Sequence, residues 1–329
     1  MTSTAAVASP VDFDTYGEYS VRAPKQADGS FVRPLYRFQG RVTADGSSGY
    51  PAEAGRYHLY VSLACPWAHR SVIARKLLGL EDVISLSVVD PVRDGRGWAF
   101  REGPGYTPDP VNGFTLLREA YEATEPGYDG HVSVPVLWDR QQGRIVSNNF
   151  PDLTIDLATQ FGRWADPAVD LYPAALRQEI GALNDRVYAA VNNGVYRCGF
   201  ATSQQAYDEA VTGLFAMLDE LDERLAGRRY LFGDRVTEAD IRLWVTLARF
   251  DTVYAIHFKT SLRRLADYPN LWPYARDLYQ QPAFGGTTSF DHIKRHYYGT
   301  HLRLNPYRIL PAGPLLDWDA PHGRERLTA

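Results

Sequence analysis

Cysteine is almost absent from this chain: its 329 residues include two, Cys65 and Cys198, far apart in sequence. Two such residues build no disulfide framework, and no CxxC pair marks a zinc site, so the usage fits a reducing cytosol. The eight histidines form no ligand-spaced cluster with cysteine, so the sequence asks for no metal. No apolar run approaches the roughly 18 residues that span a bilayer, so no membrane association is expected. The start, "MTSTAAVASPVDFDTYGEYS", shows neither a basic n-region nor an apolar h-region, which predicts a cytoplasmic chain without a secretory signal. A formal net charge of -4 offers no bulk attraction for nucleic acid or an anionic membrane. Lysine is scarce as well. Only Lys25, Lys76, Lys259 and Lys294 occur, so all but four of the 35 basic residues are arginine, a bias that GC-rich genomes write. No internal repeat is visible.

What is present suffices for two domains with real cores, at 45% hydrophobic residues. Residues 1–52, rich in Gly, Ser, Pro and Asp, read as an irregular N-terminal arm, with "FVRPLYRFQGRV" able to pack as a short strand or lid. In residues 53–165 the grain changes. "RYHLYVSLA" reads as a buried strand, "PWAHRSVIARKLLGL" as a helix closed by Gly79, and "VISLSVVD" as a second strand covered on both faces. A Gly/Pro-rich insertion, 91–130, interrupts the pattern, and a loop that long is usually functional or disordered. "VSVPVLWD" and "RIVSN" then form a hairpin around Arg140–Gly143, and "FPDLTIDLATQF" has helical spacing. The order β-α-β, insertion, β-β-α describes a thioredoxin-like sheet, an α/β domain. Residues 173–298 are all-helical in character, with a long amphipathic helix over "ATSQQAYDEAVTGLFAMLDELDERLAG" and a capping box at Thr237 and Asp240; 299–329 form a tail.

The chemistry gathers at "VSLACPWAHR". Pro66 fits the first helical position, where its missing N–H costs nothing, which leaves Cys65 at the N-cap facing the positive end of the helix dipole. Such a site lowers a thiol from about 8.5 toward roughly 3.5–7.5 and yields a thiolate at neutral pH. Ala68 stands where a CxxC partner would be, so an external thiol must resolve any disulfide formed. Cys198 reads as a buried structural residue. In a thioredoxin-like sheet the Val134–Pro135 bond before the third strand is expected to be cis and to face the cysteine, leaving the Val134 backbone to pair with a peptide-like thiol ligand.

"CPWAHR", "VPVLWD", "NNGVYRCGFATSQQAYDEAV", "TEADIRLWVTLARFDTVY" and "DHIKRHYYGTHLRLNP" together resemble the glutathionyl-hydroquinone reductases, the xi-class glutathione transferases, over about residues 30–316. The resemblance implies a thioredoxin-like domain followed by an all-helical glutathione-transferase domain, and a homodimer. It places the nucleophile on Cys65, a stacking tryptophan on Trp98, and aromatic-substrate tyrosines on Tyr196 and Tyr297, with Tyr254 and Tyr298 beside the substrate. It implies a reaction in which the cysteine takes the sulfur of a thiol–hydroquinone adduct, the hydroquinone departs, and a second thiol resolves the mixed disulfide. No tightly bound cofactor is implied. A tyrosine hydroxyl near the ring suits the proton that a carbon leaving group needs.

Two departures stand out. Where the family carries an acidic residue followed by serine for the γ-glutamyl group, this chain has Asn149 and Phe150, and where it commonly carries a carboxylate-binding arginine, this chain has His131. An amide and a phenyl ring cannot pair both charges of that group. These changes point to a different small thiol, with mycothiol, whose head is sugar hydroxyls, as the leading candidate and glutathione as the alternative; the arginine bias fits a GC-rich actinobacterial host. Two other functions remain open: a conjugating transferase, and a non-catalytic redox-sensing or binding protein on the same fold.

Overall fold

The computed structural model describes residues 6–19 and 26–327. These form two compact units: one draws on Met1–Arg22, Pro34–Val169 and Ser289–Leu310, the other on Ala23–Arg33, Asp170–Thr288 and Pro311–Ala329.

The first unit is built on a sheet of four strands among the described residues, β1 (Tyr57–Val61), β2 (Ser85–Val88), β3 (Val136–Asp139) and β4 (Arg144–Ser147), in the order β2-β1-β3-β4. β1 is aromatic and aliphatic throughout and fully buried, as a central strand covered on both faces requires. The helix α2 (Pro66–Leu77) makes the crossover that lets β1 and β2 run parallel; β3 runs antiparallel to β1, and β4 to β3. Gly143 supplies the left-handed residue of the β3–β4 turn (φ +62°), and its N–H donates to Asp139 O at 2.9 Å. The register of β1 on β3 is pinned by charge. The Arg56 guanidinium lies 2.7 Å from the Asp139 carboxylate, both buried, and breaking such a pair costs about 3–5 kcal/mol.

A short helix α1 (Phe13–Tyr16) lies in the N-terminal arm, and α4 (Phe150–Gln160) follows β4. The expected strand-like stretch of the arm lies along the free side of β4: Gln39 bridges Ser147, and Gly40 N donates to Val146 O at 3.0 Å, so close that a Cβ there would meet the carbonyl. The insertion is ordered and contains a helix, α3 (Arg118–Thr124), which the sequence reading did not contain. Seven residues with only Ala120 and Tyr121 buried leave no periodicity to read.

The second unit is helical: α5 (Arg177–Val187), α6 (Gly194–Phe200), α7 (Gln204–Arg224), α8 (Glu238–Arg249), α9 (Ala255–His257) and α10 (Leu271–Tyr279). The Ser203 hydroxyl caps α7 by accepting from Ala206 N at 3.2 Å. The capping box opens α8 as its sequence implies, with the Thr237 N–H donating to the Asp240 carboxylate at 2.7 Å. Two wide turns of π-helix, Tyr188–Asn192 and Phe250–Tyr254, interrupt the helical path. The last long helix, α11 (Phe290–Thr300), falls almost wholly within the segment 173–298 expected to form one helical domain, yet belongs to the first unit. The cause lies in its histidines. His292 Nε2 lies 2.7 Å from the Pro104 carbonyl and His296 Nδ1 2.8 Å from the Pro91 carbonyl, both on the insertion. No described helix is long and apolar enough to cross a membrane.

Candidate active site

Cys65 is the N-cap of α2 in extended conformation (φ -79°, ψ 120°), with Pro66 entering the helix. Its residue is partly exposed, while the helix behind it is buried from Pro66 through Ala74. The Val134–Pro135 bond is cis, and the Cys65 thiol lies 3.6 Å from the Val134 carbonyl, positioned to donate to it. The nucleophile candidate and the expected thiol-docking backbone therefore meet. Geometrically, a half-open thiol at a helix amino end faces the dipole that favours its anion.

Trp98, 3% exposed, follows β2 in the insertion. Its ring stacks on His296 of α11 at 4.9 Å and 22°, and the Arg93 guanidinium sits 4.7 Å from its centroid. The same guanidinium lies 4.3 Å from the ring of Tyr19, whose hydroxyl is 2.9 Å from His131 Nδ1. Val132 N also donates to that hydroxyl at 3.1 Å. Trp98 and His131 are thus joined by Arg93 and Tyr19, two side chains that the sequence reading did not select.

Tyr19 is there because the arm is strapped to the insertion. Ala8 N donates to Phe100 O at 2.9 Å, Gly95 N to Gly17 O at 2.8 Å, and Arg96 to the Pro10 carbonyl at 2.7 Å. The chain passes so close that no side chain fits at Gly95. In sequence Tyr19 stands in an irregular stretch with Phe13 and Tyr16 close by, and one aromatic among 21 tyrosines is a weak signal.

Asn149 and Phe150 stand at the amino end of α4. Asn149 turns its amide to Asp152, donating at 2.8 Å. Phe150 is 1% exposed and packs on Trp67 at 4.4 Å, under the Arg70 guanidinium at 5.0 Å and edge-on to Tyr36 at 5.2 Å. Phe150 therefore serves as core at a position where the resemblance implied a polar clamp. Tyr297 and Tyr298 lie on α11, 1% and 4% exposed; Tyr297 sits against His296 and His301, and burial pushes Tyr298 up to about 12.

Tyr196 and Tyr254 belong to the second unit, their rings 6.0 Å apart and both against Phe258. Each is tied to a π turn: Tyr254 ends one, and Tyr196 follows the other by four residues. Such turns re-aim side chains and recur at functional sites. Among the described residues no three His, Cys, Asp or Glu side chains gather as a metal site.

Residues 204–277 match the family described as glutathione S-transferase, C-terminal domain. The chain is 48% identical over 308 residues to the glutathionyl-hydroquinone reductase YqjG of Escherichia coli K12, covering 92% of this chain and 94% of that one. It is 47% identical over 290 residues to the glutathionyl-hydroquinone reductase PcpF of Sphingobium chlorophenolicum, covering 88% and 91%. The chain belongs to the glutathionyl-hydroquinone reductases. The fold agrees: the glutathione-bound structure of YqjG superposes with a TM-score of 0.85, covering 91% of this chain and 98% of that one. Glutathione-transferase architecture, a thioredoxin-like unit and a helical unit, is thereby shared with xi-class members, one of them from Phanerochaete chrysosporium at a TM-score of 0.86, 46% identity and coverage of 89% and 95%. For this glutathionyl-hydroquinone reductase, the thiol pocket candidates in the first unit are Cys65, Trp98, His131, Val134 and Pro135.

Proposed function

We propose that the chain reduces thiol–hydroquinone adducts through a mixed disulfide on Cys65. The half-open thiol at the amino end of α2, opposite the Val134 carbonyl, carries this reading. The Cys65 thiolate attacks the adduct's sulfur. An S–S bond forms, the aryl C–S bond breaks, and the ring carbon keeps the electron pair and takes a proton from Tyr196, leaving the free hydroquinone. A second thiol gives up its proton, which restores the Tyr196 hydroxyl, and attacks the mixed disulfide as the thiolate, releasing the oxidised thiol as its disulfide and restoring the Cys65 thiolate. Each cycle reduces one carbon centre at the cost of oxidising two thiol sulfurs. The roles that the family resemblance implies are kept in this reading: Tyr254, Tyr297 and Tyr298 for the aromatic substrate, and Trp98, His131 and the Val134 backbone for the thiol.

Glutathione is the small thiol this reading takes first, supported by relatives named for it and one bound to it. Mycothiol is the second reading, and it rests on Asn149 and Phe150: a buried phenyl ring and an amide turned to Asp152 leave the γ-glutamyl charges without the family's clamp. Isothermal titration separates them, since glutathione binding at least as tightly as mycothiol removes the second reading. The enzyme is taken to act as a cytosolic homodimer. A conjugating transferase is disfavoured because conjugation calls for a Ser or Tyr hydroxyl that stabilises a bound thiolate, whereas a cysteine at that place suits attack on the sulfur of an existing adduct. The test is Cys65→Ser: turnover with a glutathionyl-hydroquinone falls by at least about 10³-fold, and intact mass after incubation with oxidised glutathione shows one adduct on the wild type and none on the variant. Retained turnover in Cys65→Ser would overturn the mechanism.

A further inference from the structure

The segment Gly29–Arg33 is part of the second unit although the residues after it belong to the first. It is pinned to the junction of α6 and α7: Thr202 N donates to Gly29 O at 2.9 Å, the Ser203 hydroxyl to Asp28 O at 2.7 Å, and Phe31 packs on Phe200 at 5.3 Å. This anchoring delivers one cation. The Arg33 guanidinium lies 4.6 Å from the centroid of the Tyr196 ring, and its Nε donates to Asn193 Oδ1 at 3.1 Å, at the joint between the π turn and α6. Tyr196 itself is 8% exposed.

We propose that Arg33 is a positioning residue for Tyr196, fixing the phenol between π turn and helix and keeping its hydroxyl acidic enough to protonate the departing ring. The proposal rests on the reading of Tyr196 as proton donor. A cation over an aromatic face favours the electron-rich phenolate over the phenol, and it does so most where water is excluded. The Asn193 contact fixes the guanidinium plane, so its attraction acts on one ring in one orientation.

The other titratable groups on the elements around Tyr196 do not substitute for it. Burial pushes the Cys198 thiol of α6 up to about 12 and drives His257 down to about 4, so both stay neutral between pH 6 and 9. Tyr207 of α7 is pushed up by burial, Tyr254 meets Tyr196 ring to ring, and the charges of Arg197 and Lys259 act on Cys198 and His257.

The test is single-turnover release of hydroquinone as a function of pH, a readout in which Cys65 governs the acid limb and Tyr196 the alkaline limb. Arg33→Met should move the alkaline limb up by about one pH unit and lower the plateau several-fold, while the KM for the thiol stays at the wild-type value. Arg33→Lys should restore most of both. Arg33→Gln, which keeps a donor for Asn193, should behave as Arg33→Met and serves if the methionine variant fails to fold. An alkaline limb unmoved in Arg33→Met and Arg33→Gln, with that limb lost in Tyr196→Phe, overturns the role of Arg33 and leaves Tyr196 as donor. A limb that persists in Tyr196→Phe overturns both.

Discussion

Cys198 is 2% exposed on α6 and burial pushes its thiol up to about 12, whereas Cys65 keeps part of its surface open at the mouth of α2. A thiolate is the reactive species, so the two cysteines should separate cleanly in a chemical test. Native protein treated with iodoacetamide near pH 7 should gain one carbamidomethyl group, mapped to Cys65 by peptide mass; Cys198 should react only after denaturation. Faster labelling of Cys198 would place the reactive sulfur elsewhere. This site was legible in the sequence because its signal is local: strand, cysteine, proline and helix follow one another within a few residues. Tyr19 and His296 were not, because each reaches His131 or Trp98 from a distant stretch of chain, and Arg93, although five residues before Trp98, takes its place only through the ring of Tyr19. In the sequence Phe150 marks an altered clamp. The structure adds what the ring does there, which is to fill the space between Trp67, Arg70 and Tyr36.

At the scale of an element, β1 and β2 are joined by more than their backbone ladder. His58 of β1, fully buried, lies with Nδ1 2.7 Å from the Ser85 hydroxyl and Nε2 2.9 Å from the Ser87 hydroxyl. Burial drives its pKa from 6.5 down to about 3. The unfolded chain therefore binds a proton near pH 6.5, while the folded chain refuses it until about pH 3. Stability from this group is complete above pH 6.5 and is lost on the way down, at about 1.4 kcal/mol per pH unit. Urea unfolding between pH 6.5 and 5 should show at least that slope, since buried His257, driven down to about 4, adds to it, and His58→Gln, though less stable at pH 7, should show a slope shallower by about 1.4 kcal/mol per pH unit. An equal slope in both proteins would assign the acid sensitivity to other groups. The strands and long helices themselves were legible, since β1, α2, α7 and the α8 capping box each carry their period or cap in contiguous residues. The π turns at Tyr188–Asn192 and Phe250–Tyr254 were hidden, because one inserted residue in a helix leaves no mark that hydrophobic spacing can register.

At the scale of the whole molecule, each unit is assembled from distant stretches of chain, and the tail shows what this means for stability. Pro311–Ala329 belongs with the helical unit, although the helix just before it, α11, does not. Trp318 is 7% exposed and packs on Trp272 at 4.7 Å, Tyr279 at 5.1 Å and Trp244 at 5.6 Å. Arg324, 3% exposed, donates to the carbonyls of Leu225 and Arg229 at 3.0 Å and to that of Arg228, closing the carboxyl end of α7 with a guanidinium. Composition marked this stretch as a Pro/Gly-rich tail, and such stretches are commonly loose; two buried side chains make it a clasp. Removing residues 311–329 should open the Trp244 surface and leave the α7 carbonyls to water. Tryptophan emission should shift to the red, and the melting temperature should fall by at least several degrees, the loss expected when a buried indole worth about 3–5 kcal/mol is withdrawn from a domain of this size. Trp318→Ala in the full chain should reproduce most of the fall and Arg324→Ala the rest. A truncated protein that melts with the wild type would show that the helical unit closes without its tail.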